Sequence, residues 1–349
     1  MNRATTPGSP RSRGLLGRRA VLLGLLAVPV GLAGCSRPSG SPARPSTTPD
    51  PSAFPLEVEH ALGTARLEEP PRVVVAMDPA SADACAALGV APAGILDTAG
   101  SPWFSAALRT FSGPQPFLLN ARGGLPIDDI VKMAPDVVLA LGSELPRDRF
   151  EQLSAVAPVV AATSARGETP WADAVRTVGR VLGLEAAAEE VVATTEKAMA
   201  DAASAYPGLE GTTVLMFSAS AVPGADVLVY GGGSNAAAAL RSFGLTTSPA
   251  LAAVEREAPL AEGEHRWPQS RVRELSSDIA VVAVAEGQQR IVSEAPFMAA
   301  LPAAAHRGAF YVAAPDQNSL TSGSALGLQW ASRNIVPELA KAAYYAAQD

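Results

Sequence analysis

Residues 185–205 read Glu-Ala-Ala-Ala-Glu-Glu-Val-Val-Ala-Thr-Thr-Glu-Lys-Ala-Met-Ala-Asp-Ala-Ala-Ser-Ala, from Glu185 to Ala205, and Pro207-Gly208 follows shortly after. No glycine or proline interrupts the run, and most of its residues are strong helix formers, so it predicts one uninterrupted helix. At ~1.5 Å per residue the run makes a rod of about 30 Å.

Short apolar strands alternate with helices on both sides of this rod. On the N-terminal side Arg72–Met77 is rich in β-branched residues and reads as a strand. Asp78-Pro79 offers an N-cap and a first-turn proline for a helix over about Ala80–Leu88, and Gly89 stops it. Gly94–Leu96, Pro116–Leu119 and Asp136–Leu141 are further strands, apolar on both faces as a buried parallel sheet requires. Trp171–Leu182 is helical. On the C-terminal side the pattern predicts strands at Thr212–Phe217, Asp278–Ala285 and Ala309–Val312, and a helix over Ser234–Phe243 stopped by Gly244. A closing helix covers Gln329–Ala347, interrupted by Pro337.

A weak repeat relates the two sides. Ile130-Val131-Lys132-Met133-Ala134-Pro135-Asp136 precedes the apolar Val137–Ala140, and Val272-Arg273-Glu274-Leu275-Ser276-Ser277-Asp278 precedes Ile279–Val282. In each, apolar residues end a helix, an aspartate opens the turn and a buried strand follows. The pattern predicts an α/β fold of two Rossmann-like lobes, residues 55–183 and 207–349, joined by a single long helix over residues 184–206. Ligands of open α/β sheets bind beyond the carboxyl ends of the strands. Two facing lobes would therefore enclose a cleft lined by those ends.

Composition removes several function classes. The chain has 349 residues, 48% hydrophobic and 17% charged, enough to fill the cores of two domains. Of its 27 basic residues, Arg3, Arg11, Arg13, Arg18 and Arg19 precede residue 35, where no acid occurs. The remainder carries 22 bases against 34 acids, a net of −12. So acidic a body is a poor partner for phosphate backbones, which argues against nucleic-acid binding. The cysteines are Cys35 and Cys85 and the histidines His60, His265 and His306, with no metal-ligand spacing among them. No Gly-x-Ser-x-Gly elbow or phosphate loop occurs, so none of the common catalytic signatures is present.

Residues 1–34 have the layout of an export signal: a basic region, a short apolar stretch over Ala20–Ala33, and small residues before a cleavage point. Leu32-Ala33-Gly34-Cys35 resembles the lipobox of bacterial lipoproteins, which implies a diacylglycerol on Cys35 and an extracytoplasmic protein anchored to the cell membrane. Arg18-Arg19 resembles a twin-arginine signal, leaving Tat and Sec export both open. Residues 35–54, with prolines at 38, 42, 45, 49 and 51, read as a solvated tether. Cys85, in an alanine-rich helix, reads as a small buried apolar residue.

Several segments carry a family resemblance. Val58–Gly63 before Pro71-Arg72-Val73-Val74, Ala86–Val90 before Gly94-Ile95, Leu125–Ile130 leading into Ala134–Val138, and Leu301–Val312 with the closing helix resemble, in order, the iron-siderophore periplasmic binding proteins of ABC importers. The resemblance covers about residues 55–345. It implies a class III solute-binding fold, a helical-backbone metal receptor, that delivers ligand to an ABC permease and works as a monomer. Its ligand would be a ferric siderophore, with haem or cobalamin as the alternative. The iron arrives already chelated, in keeping with the missing metal-ligand clusters. Docking in the family uses one acid per lobe. The first falls at Asp128, beside Asp129, and the second near Ala238, which is not acidic.

A bulky chelate needs aromatic faces and a few fixed donors. Candidates just past strand ends are Asp78 to Ser81, Thr98 to Trp103, Asn120 to Arg122 and Ser143 on the first lobe, and Ser218, Tyr230, Arg290 and Gln317 on the second. Arg122 and Arg290 would donate to anionic oxygens. Trp103, in the loop-like Ser101-Pro102-Trp103-Phe104, and Tyr230 would stack on the ligand. Trp171 at a helix start reads as packing, His60 as structural, and Gly231-Gly232-Gly233-Ser234 as a tight turn with a serine N-cap. An envelope adaptor lipoprotein with a degenerate cleft remains an alternative to transport.

Overall fold

The computed structural model describes residues 48–96, 101–121, 124–164, 169–258, 260–261, 264–313 and 316–348. An antiparallel hairpin, β1 (Leu56–His60) and β2 (Gly63–Leu67), opens the first lobe. Strands and helices then alternate: β3 (Val74–Ala76), α1 (Pro79–Ala87), β4 (Gly94–Leu96), α2 (Pro102–Leu108), β5 (Phe117–Leu119), α3 (Ile127–Met133), β6 (Val137–Ala140), α4 (Arg147–Ser154), β7 (Val159–Ala161) and α5 (Trp171–Val181). The latter five strands make an all-parallel sheet in the order β5-β4-β3-β6-β7. Every residue of β3, β6 and β7 is buried, which is why these segments are apolar without alternation. As predicted, Asp78 caps α1, accepting from the Ser81 N–H at 2.8 Å ahead of Pro79.

Helix α6 (Glu185–Ala205) has the bounds its sequence predicts. Ala187, Ala188, Val191 and Val192 on its first half pack into the first-lobe core, and Met199 and Ala202 on its second half into that of the second lobe. One helix thus hands the chain from one core to the other.

The second lobe contains β8 (Thr213–Ser218), β9 (Asp226–Tyr230), α7 (Asn235–Ser242), β10 (Thr246–Thr247), α8 (Ala250–Glu257), β11 (Leu260–Ala261), β12 (Glu264–Pro268), β13 (Ile279–Ala283), α9 (Gln289–Ser293), α10 (Pro302–Ala305), β14 (Ala309–Val312), α11 (Asp316–Thr321), α12 (Ala325–Asn334) and α13 (Val336–Ala346). Its sheet runs β11-β12-β9-β8-β13-β14, with β10 beside the start of β8. Strands β8, β10, β13 and β14 pair in parallel, whereas β9 is antiparallel to both β8 and β12, and β11 to β12. Both lobes are α/β, but the second carries an antiparallel flank that the parallel reading of its strands did not anticipate.

The repeated aspartate does the same work in each lobe. The Asp136 carboxylate accepts from the Arg72 and Val73 N–H groups, both at 2.8 Å. The Asp278 carboxylate accepts from the Thr213 N–H at 2.8 Å and its hydroxyl at 2.6 Å. Each aspartate precedes one parallel strand, β6 or β13, and clamps the approach to the strand beside it, β3 or β8.

A second connection joins the lobes. Helix α12 packs against α1, α2 and α5 of the first lobe as well as against α6. Its Leu326 and Trp330 sit against Ile95, Trp103 and Phe104, and its Ala325 joins the first-lobe core. Cys85 is fully buried, and burial pushes its thiol up to about 12, which agrees with its reading as an apolar filler. No helix among the described residues is long and apolar enough to cross a membrane.

Candidate functional site

Strand β8 ends at Ser218, and the antiparallel register sets Leu228 of β9 across from it. Two residues further along β9, Tyr230 pairs with Glu264 of β12. Its phenol oxygen lies 3.2 Å from Ser218 Oγ and accepts from Gln317 Nε2 at 2.9 Å. Gln317 stands in the first turn of α11, just beyond β14. Three candidates from three elements of the second lobe, Ser218, Tyr230 and Gln317, are thereby brought together. Burial pushes the Tyr230 phenol up to about 12, and the Glu264 carboxylate adds to the rise against the opposing pull of Ser218 and Gln317. The group stays protonated at neutral pH and fixes the Gln317 amide beside the Ser218 hydroxyl.

A recess of about 310 Å³ opens here at the carboxyl ends of β8 and β13, lined by Ser218, Ser220, Asp226, Leu228, Glu286 and Gln317 among others. Hydroxyls, an amide and carboxylates around a concave floor can orient an oxygen-rich small molecule by hydrogen bonding. Between the lobes lies a larger cavity of about 540 Å³. Thr163, Ser164 and Trp171 wall it from the first lobe, Asn235 and Ala238 from α7, and Met199 from the connecting helix.

The other candidates fall elsewhere. Trp103 is not in a loop but on α2, only 6% exposed, with its indole Nε1 donating to Asp83 Oδ2 at 2.7 Å and its ring 5.9 Å from that of Trp330. Arg290 on α9 is a surface charge, its side chain 87% exposed and 3.6 Å from Glu294, and it lines neither hollow. Arg122, Cys35 and residues 98–100 lie outside the described residues. Asp78 and Ser81 are buried and bonded to each other, while Asn120 and Ser143 are exposed. Asp128 is exposed on α3, and Asp129 pairs with Lys132 at 2.8 Å. Ala238 faces the interlobe cavity.

His60 Nδ1 accepts from the Leu62 N–H at 3.2 Å and its ring meets Phe150 edge-on, a structural arrangement. Ser234 caps α7, and the Gly232 N–H donates to Glu255 at 2.7 Å, as suits a turn. Asp226 and Glu264 sit on β9 and β12, strands that the sequence expectations do not include, although Asp226-Val227-Leu228-Val229-Tyr230 alternates as a half-buried strand should. Trp171, which reads as packing at a helix start, packs against both cores and also walls the cavity, and Asn235 has no local signal, since only tertiary packing makes it a wall. Among the described residues no group of three or more His, Cys, Asp or Glu is placed to hold a metal ion.

The profile of the periplasmic binding protein family matches residues 74–307, which run from β3 through the connecting helix to β13 and α10. The chain belongs to the periplasmic binding protein family. No curated protein sequence matches it. Several solved periplasmic and substrate-binding proteins share its fold. The iron uptake ABC transporter substrate-binding protein PiaA of Streptococcus pneumoniae is 20% identical, with a TM-score of 0.72 over 83% of this chain and 100% of its own. A periplasmic solute binding protein of Mycobacterium smegmatis is 23% identical, with a TM-score of 0.71 over 82% of this chain and 98% of its own. Staphylococcus aureus SirA, solved with staphyloferrin B, is 16% identical, with a TM-score of 0.65 over 82% of this chain and 98% of its own. In this periplasmic binding protein the recess sits at the carboxyl ends of β8 and β13, where open α/β sheets bind ligands.

Proposed function

We propose that the chain is the substrate-binding component of an ABC importer, held to the outer face of the cell membrane through a lipid on Cys35, that captures a ferric siderophore between its lobes. The observation that carries this reading is the convergence of Ser218, Tyr230 and Gln317 at the strand ends of a two-lobed family member. Similar folds support the ligand class: PiaA has been solved with ferrichrome and SirA with staphyloferrin B. Binding without chemistry fits a site whose central phenol is held protonated by burial. The exposed Asp128 is the docking acid of the first lobe. Ala238 turns toward the cavity, so the second docking contact belongs to another position.

Residues 44–349 form one compact unit, so the chain without its first 43 residues is suited to the test. Titration with ferric hydroxamates and ferric catecholates, followed by tryptophan emission, should give saturable quenching at micromolar concentration or below. Silence toward every chelate overturns the reading. A Soret or corrin band that co-purifies with the chain moves the ligand to haem or cobalamin, and capture of an envelope partner without any small molecule points to an adaptor.

A further inference from the structure

The interlobe cavity and the polar recess differ in chemistry but are neighbours. Most of the cavity wall is hydrocarbon or thioether, from Trp171, Met199, Leu320 and Leu328 with the methyls of Ala238 and Ala239. The polar wall groups with assigned partners are turned to other work. Ser242 Oγ donates to the Ala239 carbonyl at 2.6 Å, and Asn235 Nδ2 lies 3.5 Å from the Thr321 carbonyl. At about 540 Å³ the volume is in the range of small-molecule sites, and apolar cavities take apolar guests. Two separate stretches of chain lead to the cavity in three residues each. One runs from Gln317 of the recess to Leu320, and the other from Tyr230, the hydrogen-bond partner of Gln317, to Gly233. Three residues span at most ~10 Å even when fully extended.

We propose that the ligand has two parts: a polar chelating head held at Ser218 and Gln317, and an uncharged apolar arm, such as an acyl chain, that enters the cavity between the lobes. This rests on the reading of the chain as a chelate-binding protein and names the class of chelate, an amphiphilic one. The arm touches both lobes, so its burial draws them together in a way that a head seated on the second lobe alone does not.

The test compares ferric desferrioxamine B with its N-decanoyl derivative on residues 44–349 free of detergent. The acylated chelate should bind at least tenfold more tightly. Gly233→Leu probes the cavity, because a side chain there starts into open space with nothing within 4 Å of its first carbon. In that variant the acyl advantage should shrink to twofold or less, and Ala238→Phe, on α7 itself, should repeat the effect. As a second readout, the uncharged dye N-phenyl-1-naphthylamine should bind at one saturable site and be lost in both variants. Equal affinity for the two chelates, or an acyl advantage that survives both substitutions, overturns the two-part ligand while leaving chelate binding intact. Dye binding with no response to either chelate, nor to ferric catecholates, overturns the siderophore reading and with it the polar head.

Discussion

Asp83 is a carboxyl group sealed between the lobes, 2% exposed on α1, with the Trp103 indole and the Ser324 hydroxyl as hydrogen-bond partners. Burial raises it from 3.8 to about 7, the two hydrogen bonds hold the rise back, and Asp78 adds to it. Because the folded value exceeds the unfolded one, the folded chain binds the extra proton between those limits. The stability this contributes is present below about pH 4 and is lost as pH climbs to about 7. Roughly three pH units correspond to at most about 4 kcal/mol. Asp83→Asn should therefore flatten the decline in urea-unfolding free energy between pH 4 and 7, leaving a residual slope from Asp78, whose carboxyl burial also raises. Parallel wild-type and variant profiles would refute this. Tyr230→Phe makes a different point. It removes the oxygen that receives Gln317 and costs about 1 kcal/mol of folding, yet it should weaken ferric-chelate binding about tenfold in the same titration. Unchanged affinity would take Tyr230 out of the site. Ser218 and Gln317 were legible as candidates because the ends of β8 and β14 can be read from apolar runs, whereas Tyr230 ends β9, a strand the sequence did not announce. Where a side chain points cannot be read this way: Trp103 turned inward to a buried carboxylate, and Arg290 outward to solvent.

At the scale of elements, the two aspartate clamps show how a faint repeat becomes structure. Each carboxylate satisfies two donors that no strand partner serves at the sheet's entrance, and a hydrogen bond to a charged acceptor is worth about 1.5–3 kcal/mol. Both groups are exposed, so the low end applies. Asp136→Ala and Asp278→Ala should each lower the unfolding free energy by about 1–2 kcal/mol, measured by urea denaturation. The clamps act on separate sheets, so the double variant should lose close to the sum. A loss far from additive would show that the two clamps are energetically coupled. Helix α6 was legible to the residue because alanine and glutamate continue until Pro207 forces an end. Strands β9 and β12 were not, because short alternating runs between turns resemble loops until partners align them.

For the whole molecule, the single-rod picture accounts for only one of two connections. Helix α12 follows the second lobe's last strand, yet it lodges Trp330 and Leu326 among first-lobe side chains, and the hydroxyl of its N-cap Ser324 donates to the Asp83 carboxylate. Trp330 also donates to Asp316 on α11 at 3.1 Å, one residue before Gln317. Opening the lobes fully would tear this wedge out, so closure on a ligand should be a small rotation, and the two cores should melt together. Calorimetry ought to show one transition, with calorimetric and van't Hoff enthalpies equal. Trp330→Ala removes the wedge's largest contact with Trp103 and the tie to α11. A half-buried tryptophan should cost about 2–3 kcal/mol, below the full core value. The variant should also drive the van't Hoff enthalpy below the calorimetric one as the lobes begin to unfold separately. If Trp330→Ala lowers the melting temperature but keeps the two enthalpies equal, α6 alone couples the lobes, and the wedge is packing without a role in their movement.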